Sequence, residues 1–220
     1  MTIRMKRGLG AATAALAAAV VPAPPASAVI EPCPDVEVLF ARGTGEPPGL
    51  GRVGQAFVDT LAPQLGGRSL EAYAVNYPAN FNFLATAEGA DDAAAQVVAV
   101  SSRCPGTHLV LGGYSQGAAV IAMLAAVPPL GEAIGEIGSA PPLAPPFADK
   151  IDAAAVFGNP SARFGTPLST VGAFAGRTID LCNPEDPICS PEGTNRLAHD
   201  GYEFAPFNEE AAVFVAERLP

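Results

Sequence analysis

Residues 109–117 read Leu-Val-Leu-Gly-Gly-Tyr-Ser-Gln-Gly, and an apolar, alanine-rich run over 118–124 follows at once. An apolar run that closes in G-x-S-x-G and opens a second apolar run predicts strand, sharp turn, helix. This is the sequence form of a nucleophile elbow, in which a strained turn lifts a serine hydroxyl above the end of a sheet. Gly113 and Gly117 fit it, because tight backbone packing beside Ser115 leaves no room for side chains. The helix that follows would aim its N-terminal N–H groups and positive dipole end at developing negative charge.

Outward from the elbow the two hydrophobic periods alternate. Residues 36–41, 70–75, 108–111, 153–157 and 177–181 read as strands. Residues 53–65 and 207–219 carry helical spacing, 86–103 reads as a helix rich in Ala and Val, and the wholly apolar 118–124 as a buried helix. Strands alternating with helices predict an α/β domain, a parallel sheet covered on both faces. The strand before the elbow falls mid-order, which suits a central place in the sheet. No internal repeat and no second domain are visible. Residues 128–146 are rich in Pro and Gly and read as a surface connector, with no lid-like insertion after the elbow.

The N-terminus has a different character. Arg4, Lys6 and Arg7 precede a 13-residue uncharged run at 9–21, and Ala26-Ser27-Ala28 follows a Pro-rich break. Basic start, apolar middle and A-x-A site together predict a secretory signal peptide over 1–28, leaving one domain over 29–220. The apolar run is short for a bilayer span, so no transmembrane segment is expected in the mature chain. Without an Arg-Arg pair the general secretory route is favoured, and no cysteine stands where a lipid anchor would attach. The expected location is extracellular, with the cell wall as one possible site.

With 22 acidic against 12 basic residues the formal net charge is −10. That argues against nucleic acid and against simple electrostatic binding to anionic membranes. All four cysteines lie in the part expected to be exported. Two disulfides are expected, with three pairings open. A metal is not expected, because no C-x-x-C pair is present and only two histidines occur.

Serine is a weak nucleophile at neutral pH. It needs a base, and the base needs an acid to orient it. His108 lies seven residues before Ser115. An extended chain separates the two by about 23 Å, so His108 reads as structural. His199 stands in a loop before the last helix, where a base is expected. The acid should fall between serine and histidine. Asp149 and Asp152 precede a strand, and Asp180 sits within one. Asp186 and its competitor Glu185 lie between Cys182 and Cys189 with Pro184 and Pro187, a setting that would hold a carboxylate rigidly. The oxyanion needs two N–H donors. Gln116, next after the serine, is one, and Thr44 in the Arg42-Gly43-Thr44-Gly45-Glu46 turn is the expected second. Phe81, Phe83 and Leu84 follow a strand end and are candidates for an acyl groove.

These residues resemble the cutinase family, in particular its secreted bacterial members. The matching blocks are Ala-Arg-Gly-Thr-Gly-Glu at 41–46, Gly-Gly-Tyr-Ser-Gln-Gly at 112–117, the 182–189 loop with Asp186-Pro187, and His199 with Tyr202. The resemblance spans nearly all of the mature chain. It implies a small α/β-hydrolase with a five-stranded parallel core and helices on both faces. It implies Ser115 as nucleophile, His199 as base, Asp186 as acid and an oxyanion hole from Thr44 and Gln116. It also assigns the pairs Cys33–Cys104 and Cys182–Cys189. The implied activity is carboxylic-ester hydrolysis through an acyl-enzyme, on an ester or lipid substrate, by a monomer without metal or cofactor. An acyltransferase with the same triad and a non-catalytic secreted surface protein are the alternatives.

Overall fold

A computed structural model describes residues 32–131 and 137–220. The expected signal peptide lies outside the described residues. Five strands form one parallel sheet in the order β2-β1-β3-β4-β5. They are β1 Val36–Ala41, β2 Leu70–Ala74, β3 His108–Tyr114, β4 Ile151–Phe157 and β5 Thr178–Leu181. β3 is central, as expected. Cys33–Pro220 forms one compact unit.

A parallel sheet must be covered on both faces, and its inner strands read as continuous apolar runs. β1 and β3 are buried along nearly their whole length. Helices α2 (Thr86–Arg103) and α3 (Gln116–Leu124) cover one face, with Val97, Val100, Ile121 and Leu124 against Leu39 and Leu111. Helices α1 (Gly51–Leu61) and α6 (Phe207–Ala216) cover the other. There Phe40, Phe57 and Phe157 meet with ring centroids 6.0–6.3 Å apart.

Several boundaries differ from the sequence expectation. β3 continues through Gly112 and Gly113 to Tyr114 instead of stopping at Leu111. Gly112 is needed there because a Cβ would collide with the Phe40 ring. The helix expected over 53–65 is α1 followed by a 3₁₀ turn at Ala62–Leu65, where Pro63 removes an N–H. The last helix ends at Ala216.

The described residues of the stretch 128–146 are more than a surface connector. Ile137 and Leu143 are buried, and Leu143 N–H donates to Leu124 O at 3.0 Å. Two one-turn helices, α4 (Pro145–Ala148) and α5 (Pro160–Arg163), flank β4.

Both disulfides follow the pairing that the resemblance implies, Cys33–Cys104 and Cys182–Cys189. The first closes a separation of 71 residues. In the chain-entropy description that is worth about 4 kcal/mol. It ties the entry to β1 to the end of α2.

Candidate active site

Aligned strand ends gather the loops of the site. Ala41 pairs with Gly113, Tyr114 with Phe157, and Phe157 with Leu181. The turns after β1, β3, β4 and β5 therefore leave the same edge, the usual place for ligands in an open parallel sheet.

Ser115 turns the chain with φ 55° and ψ −113°. Positive φ in a non-glycine residue is strained and persists only when its surroundings enforce it. Two contacts do so here. Ser115 N–H donates to Phe157 O at 2.9 Å, and α3 starts one residue later. Gly117 must be glycine, since a Cβ would strike Ala41 O.

The hydroxyl meets a continuous chain of partners. His199 Nε2 lies 2.8 Å from Ser115 Oγ, and His199 Nδ1 lies 2.7 Å from Asp186 Oδ2. With Asp186 ionised, Nδ1 carries the proton and Nε2 is left to accept from Ser115. His199 rides on a 3₁₀ turn, Arg196–Asp200, capped by the Asn195 side chain. Its ring stacks on Tyr114 at a centroid distance of 5.0 Å, and Tyr114 Oη donates to His199 O at 2.7 Å.

Asp186 is fully buried. Burial pushes its carboxyl pKa up. Hydrogen bonds from His199, Tyr202 and the Ile188 N–H, with the His199 charge, outweigh that and hold it below the ordinary value. Glu185, the sequence competitor, is exposed, and its carboxylate accepts from Asn195 Nδ2 at 3.3 Å instead of meeting His199. Asp180 is occupied by Asn159 and Ser169 N–H. His108 pairs with Asp152 at 3.2 Å at the opposite end of the sheet. It stands apart from Ser115, as its position in the chain implied.

Thr44 and Gln116 come together beside Ser115. Thr44 Oγ1 donates to Gln116 Oε1 at 2.9 Å, Gln116 Nε2 to Thr86 Oγ1 at 2.9 Å, and Thr86 Oγ1 to Phe83 O at 2.7 Å. The neighbouring N–H groups of Gly43 and Gly45 are taken by Glu46 Oε2 and Ala79 O. For the Thr44 N–H no partner is found among the described residues. Gln116 N–H is in the first turn of α3, where N–H groups have no helical acceptor.

Sequence reasoning missed the supports. Arg42 is buried and donates to Glu46 O at 3.0 Å and Tyr77 O at 2.7 Å, clamping the Thr44 turn to the segment after β2. Thr86 carried no motif, and Arg42 was read only as part of the 41–46 block; contacts across the chain reveal what each does.

A cleft of about 500 Å³ opens over Ser115. Phe81, Phe83, Leu130, Ile137 and Ile188 supply its apolar wall, and Glu46, Arg52, Arg196 and Asp200 its polar side. Of the three groove candidates, Phe81 and Phe83 line this cleft. Leu84 is not among the lining residues and is 55% exposed. It falls in the 3₁₀ turn Phe83–Ala85, which separates its direction from that of Phe83. Leu130 and Ile137 were not foreseen, because their segment read as a connector.

A family model described as Cutinase matches residues 32–219. The chain belongs to the cutinase family. The chain is 54% identical over 198 residues to the phospholipase Culp4 of Mycobacterium tuberculosis, across 90% of this chain and 83% of that protein. It is 44% identical over 217 residues to the carboxylesterase Culp1 of Mycobacterium bovis, across 95% and 92%. Among solved structures, a Trichoderma reesei cutinase in complex with a phosphonate inhibitor aligns at TM-score 0.68 and 34% identity, over 86% of this chain and 78% of that one. An acetylxylan esterase aligns at TM-score 0.72 and 26% identity, over 86% and 100%. Family and α/β-hydrolase fold are thus as the sequence implied.

Proposed function

We propose that the protein is an exported serine esterase that cleaves carboxylic esters through an acyl-enzyme on Ser115. The observation that carries this reading is the unbroken line Ser115 Oγ, His199, Asp186 at 2.8 and 2.7 Å, at the base of an apolar cleft. Ester hydrolysis needs those three parts and an oxyanion site, with no resident metal or cofactor.

In the first half-reaction Ser115 Oγ attacks the ester carbonyl carbon and its proton passes to His199 Nε2. The carbonyl oxygen becomes negative and is held by the N–H groups of Thr44 and Gln116. The C–O bond to the alcohol breaks, and His199 returns the proton to the departing oxygen. In the second half-reaction water gives its proton to His199 and attacks the acyl carbonyl. The bond from the acyl carbon to Ser115 Oγ breaks, His199 returns the proton to Oγ, and the acid is released. Throughout, Asp186 accepts the Nδ1–H bond and balances the imidazolium charge.

The acyl chain lies against Phe81, Phe83, Leu130, Ile137 and Ile188. The relatives support esters and lipids as the substrate class, with a phospholipid among the candidates. The N-terminal pattern at 1–28 and the two disulfides support export to an oxidising compartment.

The test is hydrolysis of p-nitrophenyl esters of increasing acyl length by the oxidised protein beside Ser115→Ala. Turnover is expected to fall by about three orders of magnitude or more in the variant, with ester binding retained. Equal turnover by the variant, or none by the parent on any ester, would overturn the reading.

A further inference from the structure

We propose that Tyr202 is a positioning residue that sets the strength of His199 as a base by sharing the carboxylate oxygen His199 uses. The proposal rests on the esterase reading. Tyr202 Oη donates to Asp186 Oδ2 at 2.6 Å, and the same Oδ2 accepts His199 Nδ1–H at 2.7 Å. The phenol oxygen is itself an acceptor for Asn183 N–H at 3.0 Å. The Cys189 sulfur, 3.3 Å from the phenol oxygen, is disulfide-bonded and has no proton to give, and the carboxylate at 2.6 Å is the stronger acceptor for the phenol proton. Burial first, and the Asp186 bond second, raise the phenol pKa, so the donor keeps its proton.

The phenol is held rigidly. Tyr202 is fully buried, its ring 4.9 Å from Phe207, 5.9 Å from Tyr114 and 6.3 Å from Phe157. It meets the His199 ring edge-on at 6.0 Å and 84°. Asp186 Oδ1 is fixed separately by Ile188 N–H at 2.8 Å. Two donors on one oxygen divide its charge between them. The imidazolium formed at His199 is then stabilised less than by a carboxylate serving it alone, and the orientation of that carboxylate is locked.

Other groups face the pair, and each survives removal of one hydroxyl. Tyr114 approaches from the end of β3, and Arg52 from α1, where it bonds Asp200 O and Glu203. Arg196 and Asp200 share the His199 turn, Glu185 neighbours Asp186 in the 182–189 loop, and Glu46 lines the cleft from the turn after β1. A change in pH profile on losing the hydroxyl thus reports the shared oxygen.

The experiment measures kcat, KM and the pH profile of kcat/KM, per active site titrated with a phosphonate ester. Tyr202→Phe is expected to lower kcat about tenfold, leave KM unchanged and move the acid limb to higher pH. Site-specific Tyr202→3-fluorotyrosine, a stronger donor of nearly the same shape, is expected to move the acid limb to lower pH. Opposite displacements establish the role, and the fluorinated protein carries the test alone if the phenylalanine variant does not fold. An acid limb that stays at the parent's pH in both proteins would reduce Tyr202 to a packing residue, whatever happens to kcat. Failure of the esterase reading is distinct, since it would appear as Ser115→Ala retaining turnover.

Discussion

Gly158 ends β4 with φ +57°, and a Cβ there would lie 2.8 Å from His199 Cε1 and 3.0 Å from Nδ1. The imidazole packs directly on the bare backbone, so its position depends on an absent methyl group. Gly158→Ala is expected to displace His199 and lower kcat about a hundredfold, since a shift near 1 Å in a reacting group has that effect. Steady-state kinetics with active-site titration checks it; a parent-like kcat would mean that the Arg196–Asp200 turn yields freely. Gly158 was not legible in the sequence, where it read only as the end of a strand. Ser115, Asp186 and His199 were legible because chemistry narrows the choice. The motif names one serine, two histidines compete, and the 182–189 loop frames one pair of acids. The bracing roles of Arg42 and Thr86 were hidden for the opposite reason. Their partners lie 35 and 30 residues away, and nothing local marks those contacts.

The element that holds Asp186 is the 182–189 loop, braced from two sides. The disulfide closes it, and Arg163 on α5 donates to Pro187 O at 2.5 Å and Ser190 O at 2.7 Å. Both carbonyls follow Asp186 within four residues, so the guanidinium fixes the backbone just beyond the residue that reaches His199. Arg163→Met is expected to lower kcat several-fold with KM unchanged. Cys182→Ser/Cys189→Ser is expected to do the same, and the combined variant to lose more than the product of the two, because both braces act on one loop. Steady-state kinetics of the three variants checks this; independent, multiplying effects would separate the braces. At this scale the sequence was most informative. Five strands and the four main helices follow from apolar runs, hydrophobic period and the elbow motif. β3 ran past its expected end because glycine, usually a turn signal, here makes room for Phe40. The stretch over 128–146 misled for a related reason. Its prolines and glycines read as exposed loop, yet Leu130 and Ile137 close one wall of the cleft.

Across the whole molecule, two buried carboxylates pull stability in opposite directions with pH. Asp186 has its pKa lowered by its partners, so its contribution is present above the ordinary carboxylate range and is lost as pH falls through the lowered value. Glu37 on β1 is the reverse. It is 2% exposed, Gln96 Nε2 reaches Oε1 at 2.7 Å, and Oε2 has no partner among the described residues. Burial raises its pKa, the Gln96 bond offsets part of that, and the charge of Glu71, its register partner on β2, raises it further. The fold therefore prefers Glu37 neutral. Stability is greatest below the ordinary glutamate range and declines as pH rises from there through the raised value, after which the penalty is constant. The penalty sits at the end of the sheet remote from Ser115, beside His108, which pairs with Val36 in register. It can be removed without touching the site. Glu37→Gln keeps an acceptor for Gln96 and offers an amide toward Glu71. At pH 7 it is expected to raise Tm by about 2–4 °C, the size of a 1 kcal/mol gain in a domain of this length. Near pH 4 that difference should shrink toward zero, because the parent is then protonated as well. Turnover of esters by the variant should match the parent. Thermal melts of both proteins from pH 4 to pH 8 check the claim, and a Tm difference independent of pH would show that packing, not the buried charge, separates them.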